Sequence, residues 1–158
     1  MSRPALFVVV LLLLTPACSS PVSPSVPNVQ GFWAGSWVAT TCTTNFPVSC
    51  ESILQNGPLY LRLTQSGQSV QGFLSVCGAE ADQMAGTVAA NGMLTFAGRG
   101  SALFPDSITA SLASTVSGTV MTGSFVCTLN VDTSGHKIDM TGTLKNVTVV
   151  SRDPNAQF

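Results

Sequence analysis

The chain has 158 residues, of which 45% are hydrophobic and only 8% charged, and its formal net charge is −1. A charged fraction so far below the roughly 25% of an ordinary globular protein leaves no clustered basic surface. That excludes nucleic acid as a partner, because phosphate binding runs on displaced counterions, and it excludes a polybasic membrane patch.

In chain order, Arg3 precedes an unbroken apolar run from Ala5 to Leu14, and Thr15-Pro16-Ala17-Cys18 follows as a small-residue exit. Charge, apolar core and small residues in that order make a secretory signal peptide, expected over residues 1–17 and removed from the mature protein. The apolar run is ten residues long, about half of what a membrane-spanning helix needs. The exit resembles the lipobox of bacterial lipoproteins, in which a cysteine after a small residue becomes the acylated first residue. The resemblance implies lipidation of Cys18 by palmitate-class chains and a membrane partner reached through that N-terminal lipid. Several acyl chains on one cysteine meet the requirement for stable anchoring. Ser19 and Ser20 follow, and the absence of Asp there resembles outer-membrane sorting in Gram-negative lipoproteins, so a cell-envelope, outer-membrane location is implied. Thr15 stands where the lipobox usually has Leu; the alternative is plain cleavage to a secreted or periplasmic protein.

Residues Ser19 to Asn28 read SSPVSPSVPN, with three prolines and four serines. Such a stretch predicts an extended tether over 18–28, reaching some 30 Å or less at about 3.1 Å per residue. One folded domain is expected over 29–152, with 153–158 as a C-terminal tail.

From Val29 onward the apolar residues alternate and no helical period emerges. In Leu59-Tyr60-Leu61-Arg62-Leu63-Thr64 the leucines share one face and Tyr60, Arg62 and Thr64 the other, the period of a half-buried strand. Ser66-Gly67-Gln68 turns the chain, and Val70, Leu74 and Val76 continue the inward face. Asn91-Gly92 predicts a type I′ hairpin, in which both central residues need positive φ. Eight strands are expected: Gly31–Thr40, Pro58–Gln65, Ser69–Cys77, Gly86–Ala90, Met93–Gly98, Ser107–Thr115, Thr122–Leu129 and Lys137–Val150. Five segments share the form apolar-x-Gly-x-apolar, centred on Gly72, Gly86, Gly118, Gly123 and Gly142. Glycine weakens a strand interior, so its recurrence predicts bends, bulges or room for a large side chain opposite; Gly118 also fits a hairpin tip. The expected fold is all-β, an antiparallel up-and-down barrel of about eight strands, with a β-sandwich as the alternative.

Of five cysteines, Cys18 is taken by lipid on the lipobox reading and four remain. Export permits disulfides. Four cysteines allow three connectivities, and the favoured one pairs Cys42 with Cys50, closing one loop, and Cys77 with Cys127, tying distant strands. No metal site is expected, since no C-x-x-C occurs and the lone His136 stands far from any cysteine pair.

Gly31-Phe32-Trp33, followed by Gly35-Ser36-Trp37, resembles the Gly-x-Trp opening of lipocalins and avidins, the calycin-type barrels. The resemblance implies an eight-stranded barrel over Val29 to Arg152, with Trp33 packed across its floor against Arg152. Trp33, Trp37 and Arg152 are thus the floor and ligand candidates; neither family's own ligand is implied.

Catalytic chemistry is not expected. His136 reads as a surface loop residue and Glu80 with Asp82 as a solvated loop. Neither a Gly-x-Ser-x-Gly elbow nor a glycine-rich phosphate loop occurs, and no cofactor is expected. The function expected first is a barrel that binds a small apolar ligand or lipid. The alternative is a structural or interaction lipoprotein with a side-chain-filled barrel, meeting proteins or glycans through a Thr/Ser-rich face. An enzyme comes last.

Overall fold

The computed structural model describes residues 25–53, 55–101 and 107–156; the leader and Cys18 lie outside the described residues. Eight strands run in chain order: β1 (Gly31–Thr44), β2 (Asn56–Ser66), β3 (Ser69–Val76), β4 (Ala79–Val88), β5 (Met93–Ser101), β6 (Ser107–Ser117), β7 (Val120–Asn130) and β8 (Lys137–Ser151). Each pairs antiparallel with the next, and β8 returns to β1 from Phe32↔Ser151 to Thr44↔Ile138. The sheet therefore closes into an up-and-down barrel instead of splitting into a sandwich, and closure removes the unpaired edges that a β-protein must otherwise protect. The closing seam carries register shifts at three places. At one of them Asn146 adopts a φ of 53°, and a Cβ on the facing Gly35 would lie 2.7 Å from the Val147 Cα. Bulges of this kind bend a strand and supply the curvature of closure.

Each expected strand maps onto one in the structure, and the largest difference is at β4. That strand begins at Ala79 instead of Gly86. Ala79, Ala81 and Met84 are buried while Glu80, Asp82 and Gln83 are exposed. Glu80 and Asp82 are therefore strand residues on the outer wall, not loop residues. The alternation is hidden because Asp82 and Gln83 both face out where the register slips from Leu74↔Ala81 to Gly72↔Met84.

Two turns exchange roles relative to expectation. Gly92 has a φ of 83° but Asn91 is not in the positive region. The Gly92 N–H donates to the Ala89 carbonyl at 2.9 Å, the pattern of a type I turn closed by one left-handed residue. The turn with both central residues at positive φ is Cys77-Gly78, at 59° and 75°.

Two of the recurring glycines, Gly86 and Gly142, stand beside buried rings inside the barrel. Around one hoop the register reads Val70–Gly86–Phe96–Leu112–Phe125–Gly142. Gly86 flanks Phe96 and Gly142 flanks Phe125, and both rings are buried. A Cβ on Gly142 would lie 2.5 Å from the Phe125 ring, so the glycine supplies the space that the ring occupies. Gly118, by contrast, sits in the β6–β7 turn with a φ of 60°.

Cys42 is bonded to Cys50 and Cys77 to Cys127. Cys127 points inward on β7 and is fully buried, so the second bond draws the β3–β4 turn over the end of the barrel. Cys77 itself is left-handed because the two-residue connection from Val76 to Ala79 is a type I′ turn, a conformation that costs a non-glycine residue about 1 kcal/mol or more. The loops closed span sequence separations of 8 and 50, which on the chain-entropy account contribute about 2.6 and about 4 kcal/mol. Cys77→Ala with Cys127→Ala is expected to lower the unfolding free energy more than Cys42→Ala with Cys50→Ala, by about 1.5 kcal/mol. Denaturant titration of both double variants checks this, and an equal or reversed order would count against the cross-barrel tie.

Candidate functional site

Aromatic and polar side chains gather in two regions, the floor of the barrel and a cleft on its outer wall. The floor is built by the segment before β1. Gln65, near the end of β2, clamps it with both ends of its amide: Oε1 accepts from the Val29 N–H at 2.7 Å and Nε2 donates to the Pro27 carbonyl at 3.1 Å. Val29 is buried and Val26 packs against the core, so the last residues of the expected tether are held on the barrel. Trp33 is buried and donates Nε1–H to the Val29 carbonyl at 2.8 Å. Arg152, just past β8, lies over the Trp33 ring, 5.4 Å from its centroid. It donates to the carbonyls of Asn28 at 2.7 Å, Gln30 at 3.3 Å and Gly118 at 3.1 Å. Cation–π attraction and a planar fork of donors are both satisfied at once, which lysine cannot reproduce.

The structure thus brings Trp33 and Arg152 together and places Trp37 elsewhere. Trp37 lies further along β1, edge-on to Phe125 with centroids 5.6 Å apart and planes at 79°. Its Nε1 has no hydrogen-bond partner among the described residues, and neither does Ser114 Oγ. Trp33, Trp37, Phe96, Phe125 and the leucines of β2 are all essentially inaccessible to solvent. The arrangement closes the floor and occupies the interior.

The outer cleft lies across β1–β4. Phe32, Tyr60, Arg62, Phe73 and Glu80 line an open hollow of about 540 Å³. The registers Phe32↔Arg62↔Phe73 and Tyr60↔Ser75↔Glu80 put these side chains in adjacent rows of one face. The rings of Phe32 and Tyr60 stack at 6.0 Å and 20°, and the Arg62 guanidinium sits 5.9 Å from the Phe32 centroid. Phe32 points outward yet is only 5% exposed, while Tyr60, above it, is 41% exposed. Alternation in the sequence puts Tyr60 and Arg62 on the outward face, but it does not report which residues of other strands stand beside them. The available signal was aromatic and cationic residues on the solvent face of a chain so poor in charge.

His136 is where the sequence reading put it, in the β7–β8 loop. Its Nδ1 lies 2.7 Å from Asp132 Oδ2, and its ring packs 5.1 Å from Phe46. Asp132 Oδ1 accepts from the backbone N–H groups of Ser134 and His136. The carboxylate therefore serves to close the loop.

Fold and sites together define a small, closed, antiparallel eight-stranded barrel whose interior is filled by its own side chains. Comparison with protein-family models, curated proteins and solved structures gives no match.

Two expectations follow from the geometry. Trp33→Phe removes a satisfied donor and strands the Val29 carbonyl, whereas Trp37→Phe removes an unpartnered one. Trp33→Phe is expected to destabilise by about 1–3 kcal/mol more than Trp37→Phe, as read by denaturant titration. The Asp132 carboxyl is held below its usual value, chiefly by the His136 side chain and further by the backbone N–H groups of His136 and Ser134. A depressed folded pKa contributes stability above the unfolded value and loses it as pH falls through the folded one. Asp132→Asn should therefore flatten the fall of the thermal midpoint below about pH 4 and leave its slope above that pH unchanged.

Proposed function

We propose that the protein is a lipid-anchored, non-catalytic barrel of the bacterial cell envelope, acting through its outer surface and not through a ligand held inside. The likeness of Gly31-Phe32-Trp33 to calycin-type barrels supports the kind of barrel, and the lipobox-like Thr15-Pro16-Ala17-Cys18 supports the anchor. The observation that carries the reading is the filled interior. Eight strands enclose either packed side chains or one small ligand, and here Trp33, Trp37, Phe96 and Phe125 are buried inside with the β2 leucines. This favours the interaction lipoprotein over the barrel with a small apolar ligand.

The floor also supports an orientation. The chain enters at the floor, where Val26 packs against the core. Acylation at Cys18 then leaves Ser19 to Ser25 as the spacer, about 22 Å at roughly 3.1 Å per residue. The floor faces the bilayer and the disulfide-bearing end projects away from it. Outer-membrane sorting is consistent with Ser19 and Ser20.

Native mass spectrometry of the detergent-extracted protein, before and after denaturation, tests this. The expected mass begins at Cys18 with acyl chains attached, and denaturation releases no small molecule. Cys18→Ala should move the protein from the membrane to the soluble fraction. An apolar molecule released in equal amount to protein would restore the interior-ligand reading, and an unacylated product starting elsewhere would end the anchored one.

A further inference from the structure

We propose that the outer cleft over β1–β4 is a saccharide-binding site that takes a short run of a glycan chain, an inference that rests on the outer-surface reading above. The cleft offers an exposed aromatic plane, Tyr60, backed by Phe32 and flanked by Phe73. The C–H face of a sugar ring is an apolar, weakly positive surface, which the negative face of an aromatic ring attracts. Its edge is a row of hydroxyls that both donate and accept, so a site for it presents hydrogen-bond donors and acceptors side by side, most strongly when they are charged.

Both are present. The Arg62 guanidinium is held by its contact with Phe32 and makes no hydrogen bond or ion pair with protein groups among the described residues, so its donors are available. Glu80 lines the same hollow and is likewise unpaired among the described residues. An anionic ligand would meet Glu80 and Asp82, and a cationic one would meet Arg62. A wholly apolar guest would desolvate the guanidinium and carboxylate without pairing them. A neutral polyol satisfies both signs.

The site also has length. One outward step along β2, β3 and β4 leads from Arg62, Phe73 and Glu80 to Thr64, Gln71 and Asp82. These line a second hollow of about 440 Å³ on the same face. The bulge that turns both Asp82 and Gln83 outward adds a polar side chain there. Two adjoining hollows, the first aromatic and the second polar, fit consecutive sugar units better than a single monosaccharide.

The chain contains one tyrosine, which lies in this cleft, so 3-fluorotyrosine labelling gives a single ¹⁹F resonance that reports on the site alone. Titration with cellotriose and with the N-acetylglucosamine trisaccharide is expected to shift it saturably for at least one of the two. In calorimetry with that sugar, Tyr60→Ala should weaken binding about tenfold or more, Arg62→Gln about tenfold, and Tyr60→Phe by less than about threefold. Tyr60→Phe, which keeps the stack on Phe32, and Arg62→Gln should leave the thermal midpoint near the wild-type value, whereas Tyr60→Ala lowers it by uncovering Phe32. The loss of binding in Arg62→Gln is therefore the readout free of any change in folding. No shift with either sugar up to about 10 mM, where a 1 mM site would be largely filled, overturns the proposal. So does a shift produced only by a peptide of the Ser19–Pro27 sequence, which would make the cleft a groove for polyproline-type segments. An apolar molecule found inside the barrel while sugar binding at Tyr60 persists would overturn the filled-interior reading alone.

Discussion

Closing eight strands on themselves sets an interior whose width is fixed by strand number and tilt, and the side chains must then fit it. In this barrel two phenylalanines and two tryptophans are placed inside, and a Cβ on the neighbouring Gly142 would collide with the Phe125 ring. Glycine resolves the conflict. Gly86 beside Phe96 and Gly142 beside Phe125 alternate absence and bulk around one hoop. The same positions let neighbouring backbones approach closely, since a Cβ on Gly86 would fall 1.8 Å from the Thr95 carbonyl oxygen. Packing density and curvature thus have one cause, and the weak repeat in the sequence is its trace.

The ends of the barrel pose a second problem, because a closed sheet protects its edges but leaves two open mouths. Each is covered by a different means. The floor uses noncovalent ties, with Gln65 and Arg152 spending their polar atoms on the backbone of residues 27–30. The far end uses covalent ties, where the Cys77–Cys127 bond holds the β3–β4 turn over the core. The cross-barrel bond constrains the unfolded chain as well as the folded one, and bonds of this kind persist in oxidising compartments.

Much of this was legible in the sequence, and what was not has a common origin. Alternation such as Leu59–Thr64 reports which face a residue takes, so strand number and the inward residues could be read directly, while the choice of barrel over sandwich rested on short connections and the need to close edges. An even remainder of four cysteines left three pairings open, and the structure adopts the favoured one. Beyond local order, the one-dimensional pattern loses its hold. The start of β4 was obscured by two successive outward residues at a bulge. The double left-handed turn is at Cys77-Gly78, where a two-residue connection from Val76 to Ala79 demands it, and not at Asn91-Gly92, where local preference suggests it. The outer cleft joins Phe32, Tyr60, Phe73 and Glu80 from four strands, and only register makes them neighbours.

Scarcity of charge gives the remaining polar side chains their meaning. With Arg152 committed to the floor and Lys137 paired with Asp139 at 3.0 Å, few ionic groups are left to define a recognition surface. A carpet of Thr and Ser on the outer wall is well solvated but nearly featureless, able to hydrogen-bond anything and to select nothing. Selectivity needs a place where shape and opposite charges coincide. On the described surface that coincidence occurs where stacked rings, an unpaired guanidinium and a carboxylate share one open hollow. With Trp33, Trp37, Phe96 and Phe125 buried inside, the chemistry left for contact among the described residues lies on the outer wall, and the recognition proposed for the cleft is the counterpart of that packing.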